Sequence, residues 1–311
     1  MVKTGGAEMF DTGIYIIRKN AMRKILMICL SLLFMVNIIY GQSNDADSFS
    51  KTGNDFLKQG KYVEAEKAFT RAIELNNQLS NYYNDRGYAY YKMDKFPQAI
   101  DDFTKALELP MDYTKANNPL LPGTVQVFVP DPAFTEFNRF FNGRDYFSVV
   151  YLYRGLAYLA LKNQEQAISD FSDAIKLDPE YILAYYNRGA AYGQLDRFDQ
   201  AISDYTQVIK FDSEHVADAY FHRGSNYGKL NLFDQAISDF TQVIKLDPKY
   251  AEAYFYRAFS RLNKSNRDGI MTDNLARLII NDLNQFLILD PVSENAPSAR
   301  SYLSQLRQRG Y

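Results

Sequence analysis

Few residues in this chain have the type and spacing to carry chemistry. There are two histidines, His215 and His222, and one cysteine, Cys29. The histidines lie seven residues apart across a predicted helix start, with Asp218 between them. A metal site takes three or four ligands, and the body offers no third His and no Cys to complete one. No metal and no cofactor are therefore expected. Ser169, Ser203 and Ser238 recur at one register of a repeated segment, without a His/Asp constellation around them. The glycines sit singly inside helical patterns, where they cannot cradle a phosphate. No catalytic residue emerges, and a non-enzymatic protein is expected.

One charged pattern does recur. Arg86/Asp102, Arg154/Asp170, Arg188/Asp204, Arg223/Asp239 and Arg257/Asp282 stand at matching places in successive segments. In the first segment the same places hold Thr52 and Ala68, so both charges are missing together. The simplest account is an Arg bonded to an Asp between two packed helices. Leaving one half-buried charge unpaired costs roughly 3–5 kcal/mol. These pairs set register and are structural.

The elements that position them repeat. Asp-Phe-Thr-Lys-Ala-Leu-Glu-Leu (102–109), Asp-Phe-Ser-Asp-Ala-Ile-Lys-Leu (170–177), Asp-Tyr-Thr-Gln-Val-Ile-Lys-Phe (204–211) and Asp-Phe-Thr-Gln-Val-Ile-Lys-Leu (239–246) align, each preceded by Arg-Gly. Gly53, Gly87, Gly155 and Gly189 are separated by 34, 68 and 34 residues, and Gly224 follows after 35. A fixed period of this size marks a stacked repeat. Each unit reads as an aromatic-rich helix A with Gly-x-x-Tyr, a polar turn, and a helix B with Ala-x-x-x-Phe. Examples are Gly87/Tyr90/Ala99/Phe103 and Gly155/Tyr158/Ala167/Phe171. A small residue on each helix lets the two approach, and the neighbouring ring fills the space. Asp178-Pro179 and Asp247-Pro248 close helix B, and the proline is expected in the first turn of the next helix A.

These residues resemble the tetratricopeptide repeat family over nearly all of residues 46–291. The resemblance implies an all-α, right-handed solenoid of helical hairpins, here with one degenerate unit. Units 1–2 fall at 46–113 and the later units at 148–291. The last is nine residues wider than the period, with the extra length at Asn263–Asp273 between its two helices. Ala299, Tyr302, Leu303 and Leu306 predict a closing helix within 292–311. Residues 114–147 contain Pro119, Pro122, Gly123 and Pro130, yet the segment is 34 residues long. It reads as a degenerate unit that lost helix A and kept helix B from Ala133, ended by Asn142-Gly143, or else as an insertion. Its Val127, Phe128 and Phe134 either contact a partner or plug the gap left by the missing helix.

At the amino terminus, Met22-Arg23-Lys24 precedes the apolar run Ile25–Tyr40 and then Gly41-Gln42-Ser43. Residues 1–41 read as an N-terminal extension and export signal. The run of about 16 residues is short of a membrane-spanning helix; cleavage near Gly41 and retention as an anchor are the two outcomes. Met22 is a more natural start than Met1. The expected place is beyond the bacterial inner membrane, in the periplasm or envelope or secreted. Membrane contact is expected only through this segment.

The formal charge is −2; residues 1–41 hold five basic against two acidic side chains, so the remainder stands at −5. Nucleic-acid binding needs clustered Lys/Arg and is not expected. With 25 Tyr, 22 Phe and no Trp, the rings suit half-wet surfaces. The resemblance implies a concave wall lined by helix A. Its aromatic candidates are Tyr88, Tyr91, Tyr186, Phe221, Phe255 and Phe259, of which Tyr186, Phe221 and Phe255 are the most open. His222 also falls on helix A. An apolar wall differs from the family's clamps for acidic chain ends, for which only Lys92 and Lys229 are candidates. The expected partner is a protein or peptide segment with apolar side chains. The competing class is a self-associating assembly element of the cell envelope, so a homo-oligomer stays open.

Overall fold

The computed structural model describes residues 45–109, 143–211 and 215–311. Among these residues there are thirteen α-helices and no strand. They are α1 (45–58), α2 (Tyr62–Leu75), α3 (Ser80–Lys92), α4 (Phe96–Glu108), α5 (Gly143–Ala160), α6 (Gln164–Leu177) and α7 (Ile182–Gln194). There follow α8 (Phe198–Phe211), α9 (Val216–Lys229), α10 (Phe233–Leu246), α11 (Ala251–Asp268), α12 (Asp273–Leu289) and α13 (Ala296–Gln308). Odd-numbered helices are helix A and even-numbered ones helix B, up to the closing α13.

The apolar spacing explains the hairpins. In α6 the buried apolar residues are Ala167, Ile168, Phe171 and Ala174, which share one face of a helix. Phe171 lies against Gly155 of α5, where an added Cβ would stand 2.6 Å from its ring. Gly53 meets Phe69 at the same distance. Only a hydrogen fits at these two crossings.

The turn from helix A to helix B is the same in five units. Gly60, Asp94, Lys162, Asp196 and Asn231 adopt left-handed φ of 56–70°. The next backbone N–H then reaches back to the carbonyl of the ring in Gly-x-x-Tyr, as Asn163 to Tyr158 at 2.8 Å and Arg197 to Tyr192 at 2.9 Å. This bond closes the helix C-terminus. After helix B, Asp178 and Asp247 accept from the N–H of Glu180 and Lys249 at 3.0 and 2.9 Å. The prolines therefore lie in a turn; α7 starts only at Ile182 and α11 at Ala251.

Successive hairpins pack in order, and the closing α13 covers α12 with Ala296, Ala299, Leu303 and Leu306 buried. Two expectations change. The nine added residues of the last unit mostly lengthen both helices, leaving only 269–272 between them. Thr272 caps α12 by accepting from the Leu275 N–H. Helical hydrogen bonding continues there because no proline interrupts it.

The second change concerns the degenerate unit. Helix α4 packs directly on α5, as α6 packs on α7. Tyr153 of α5 stacks on Phe103 of α4, with ring centroids 6.4 Å apart. The stack therefore has no hairpin-sized space between 109 and 143. Gly143, expected to end a helix, begins α5. The expected helix from Ala133 and the loop residues Val127, Phe128 and Phe134 lie outside the described residues.

Candidate functional site

Beneath the inner wall each Arg–Asp pair forms a planar fork. Arg188 donates from Nε to Asp204 Oδ2 at 2.8 Å and from Nη2 to Oδ1 at 2.7 Å. Its Nη1 reaches Ser172 Oγ at 3.0 Å on the helix B of the preceding hairpin. Arg86 repeats this with Asp102 and Thr70, and Arg154 with Asp170 and Thr104. Arg223 takes Asp239 and Thr206, and Arg257 takes Asp282 and Thr241. Hydrogen bonds to Asp239 hold the Arg223 guanidinium above the ordinary arginine range. Each guanidinium also lies against tyrosine rings, Tyr185 and Tyr192 for Arg188 and Tyr220 and Tyr227 for Arg223. All five expected pairs form. The hydroxyl was missed, although Thr70, Thr104, Ser172, Thr206 and Thr241 each directly follow the helix B aromatic.

Helices α3, α5, α7, α9 and α11 also touch in succession, whereas no comparable contact joins α4, α6, α8 and α10. Helix A thus forms the inner, tighter wall. Its expected rings divide. Tyr186 and Phe221 are half-buried and Phe259 is 36% exposed. Tyr91 is half-buried, edge-on to Tyr153 at 5.5 Å. Tyr88 and Phe255 are corrections: they are 4% and 6% exposed. Tyr88 is covered by Tyr153 because α5 sits directly on α3–α4, with centroids 5.2 Å apart. Phe255 is closed over by Phe286 of the lengthened α12, at 5.2 Å.

The C-terminal rings form a continuous strip. Tyr186 of α7 meets His222 of α9 at 5.7 Å, and Phe221 meets Tyr250 and Tyr256 at 5.0 and 5.6 Å. Phe259 continues it to Tyr302 of α13 at 6.2 Å. Asp218, one turn before His222, acts on Tyr186, His222 and Tyr250 together. Burial pushes the His222 imidazole down against the pull of Asp218, which keeps it neutral at pH 7. His215, just before α9, is exposed.

The N-terminal part of the wall is polar. Asp85 is buried and accepts from Asn54 Nδ2 at 3.4 Å and Asn84 Nδ2 at 3.1 Å. Burial pushes its carboxyl up to about 7. Nearby, Ser80 donates to the Ala106 carbonyl at 2.6 Å and shares a hydrogen bond with the Tyr146 hydroxyl at 3.0 Å.

Helical hairpins, the glycine–aromatic crossings and this inner wall define a repeat scaffold. Family models described as TPR repeat match residues 53–94 and 155–196, and those described as tetratricopeptide repeat match 80–109, 182–215 and 217–250. The chain belongs to the tetratricopeptide repeat family. It is similar to Hsp70-Hsp90 organizing protein 2 of Arabidopsis thaliana, with 29% identity over 30% of this chain and 16% of that one. RNA polymerase II-associated protein 3 of Xenopus laevis is 26% identical over 42% of this chain and 15% of its own. The chain thus spans about a sixth of the length of these relatives.

Among solved structures, YrrB, described as a TPR protein with an unusual peptide-binding site, superposes with a TM-score of 0.55. It is 19% identical, over 76% of this chain and 99% of its own. A TPR protein of Cytophaga hutchinsonii superposes at 0.56 with 16% identity, over 80% and 98%. These similarities concern the fold. The protein is a tetratricopeptide scaffold for protein–protein interaction.

Proposed function

We propose that the inner wall holds an extended or helical segment of another protein, gripped by apolar anchors. The observation that carries this reading is the strip of accessible rings on consecutive A helices, from Tyr186 through His222 and Phe221 to Phe259. Aromatic anchors set in a rigid groove supply most of the affinity in such interfaces. Because the scaffold beneath is rigidly clamped, little ordering cost falls on this side of the complex. The peptide-binding site ascribed to YrrB supports the same use of the fold. No nucleophile, base or metal enters the reading, so the role is that of a non-catalytic adaptor. We place that adaptor beyond the bacterial inner membrane, on the strength of Met22-Arg23-Lys24 and the apolar run Ile25–Tyr40.

The test is affinity capture from envelope extract with the full chain, beside a copy carrying Tyr186→Ala, Phe221→Ala and Phe259→Ala. Circular dichroism of both copies checks that the hairpins persist. A protein kept by the first and lost by the second identifies the partner. Equal retention moves the site off the inner wall, and capture of the chain's own copies alone favours the self-associating assembly element. Fractionating the same cells tests export, which fails if the chain stays in the cytoplasm.

A further inference from the structure

A carboxylate, Asp218, is set into the aromatic strip. Asp218 lies in the first turn of α9, and Phe221 and His222 stand three and four residues on, so all three share one helix face. The rings of that face reach Tyr186 of α7 on one side and Tyr250, at the start of α11, on the other. Three hairpins thus supply aromatic walls around this acid. The same register is apolar in the two preceding A helices, with Val149 in α5 and Leu183 in α7, and acidic in α1 and α11, with Asp47 and Glu252. What sets Asp218 apart is its place among the rings of three hairpins.

Among the described residues no Lys or Arg forms an ion pair with Asp218, and the groups that feel its charge are the Tyr250 hydroxyl, Tyr186 and a neutral His222. A carboxylate offers about four acceptor positions, and Tyr250 is the one described hydroxyl placed to donate to Asp218. A half-buried, under-used negative charge ringed by π faces is the environment that attracts an organic cation, since both the carboxylate and the ring faces are electronegative. The acidic balance of the body works in the same direction.

We infer that Asp218, with Tyr186, His222 and Tyr250, forms a subsite for one cationic side chain, arginine or lysine, of the segment held in the groove. The subsite rests on the reading of the inner wall as the binding face. It gives that face a polarity opposite to a clamp for acidic chain ends. Apolar side chains pack on Phe221 and, further toward the C-terminal end, on Phe259, and the cation fixes the direction and register of the bound chain.

The two histidines make the test clean, because a chain labelled at histidine shows only two imidazole spin systems, assigned with the His215→Gln variant. The full chain is titrated with N-acetyl-arginine methylamide, N-acetyl-lysine methylamide and the uncharged N-acetyl-citrulline methylamide. The expected result is a saturable shift of the His222 signals with the two cations, at least tenfold weaker with citrulline. Asp218→Asn, which keeps size and polarity, abolishes that preference. Equal responses to arginine and citrulline, or no response to either, overturn the subsite. So does a preference that survives in Asp218→Asn. The groove reading fails separately, when removal of the three anchor rings leaves capture unchanged.

Discussion

The two ends of the inner wall share a backbone and differ in chemistry. At the N-terminal end the wall is built on Ser50, Asn54, Asn84 and Asp85, all but Asn54 buried; at the register shared by Ser50 and Asn84, α7 and α9 carry the half-buried Tyr186 and Phe221. Beneath the wall the same contacts persist: a glycine against a ring in the first five hairpins, and from the second hairpin onward a guanidinium forked on an aspartate and a hydroxyl. The difference teaches where stability and recognition reside. Positions that face the next helix are constrained by close packing, because a single added carbon at Gly155 would meet Phe171. Positions that face the groove carry no such constraint, so their chemistry varies along the stack without changing the fold.

The comparison breaks most visibly if the shared clamp is removed. Asp204→Ala leaves the Arg188 guanidinium without its two strongest hydrogen bonds and should cost roughly 3–5 kcal/mol. The double change Asp204→Ala with Arg188→Ala should cost less than the single one, because no unpaired charge is left behind. Urea unfolding of the three proteins checks this, and equal losses would show that the pair is not coupled.

The polar end should be sensitive to pH in a way the aromatic end is not. Burial raises the Asp85 carboxyl from 3.8 to about 7 in the folded chain. Its stabilising contribution is therefore complete below the unfolded value and is lost as the pH climbs to about 7. From pH 5 to pH 8 the loss is on the order of 2–3 kcal/mol, at 1.36 kcal/mol per unit. Asp85→Asn should remove this slope and be the more stable protein at pH 8. Parallel stability curves for the two would place the Asp85 carboxyl in the usual range.

The smallest effect sharpens the account of the clamp. Thr206→Val keeps the shape and removes only the oxygen that Arg223 Nη1 reaches at 3.0 Å. A loss of about 1 kcal/mol is expected, the usual worth of one such hydrogen bond. A thermal midpoint equal to the wild type would mean that water replaces the hydroxyl.

The repeat, the hairpins, the closing helix and all five Arg–Asp pairs were legible in the sequence. A strict period exposes any contact that each unit makes with itself. The third partner of each arginine escaped notice because Thr70 or Ser172 belongs to the previous unit and looks like an ordinary helix-surface residue. The sequence misled in two places. Register suggested within 114–147 a unit reduced to its helix B, or an insertion, whereas α4 and α5 meet directly as successive hairpins do. The burial of Phe255 was also missed, since its cover is Phe286, a large ring at the register where the earlier full B helices carry Ala or Val.

The sequence by itself determined the helices, their pairing into hairpins and the class of protein, because local spacing and a 34-residue period encode contacts between near neighbours. Tertiary structure alone decided which inner-wall rings stay accessible, and it brought Tyr186, Asp218, His222 and Tyr250 together. Those residues come from three different hairpins. Their proximity depends on the rise and turn between units, which no single unit's sequence specifies.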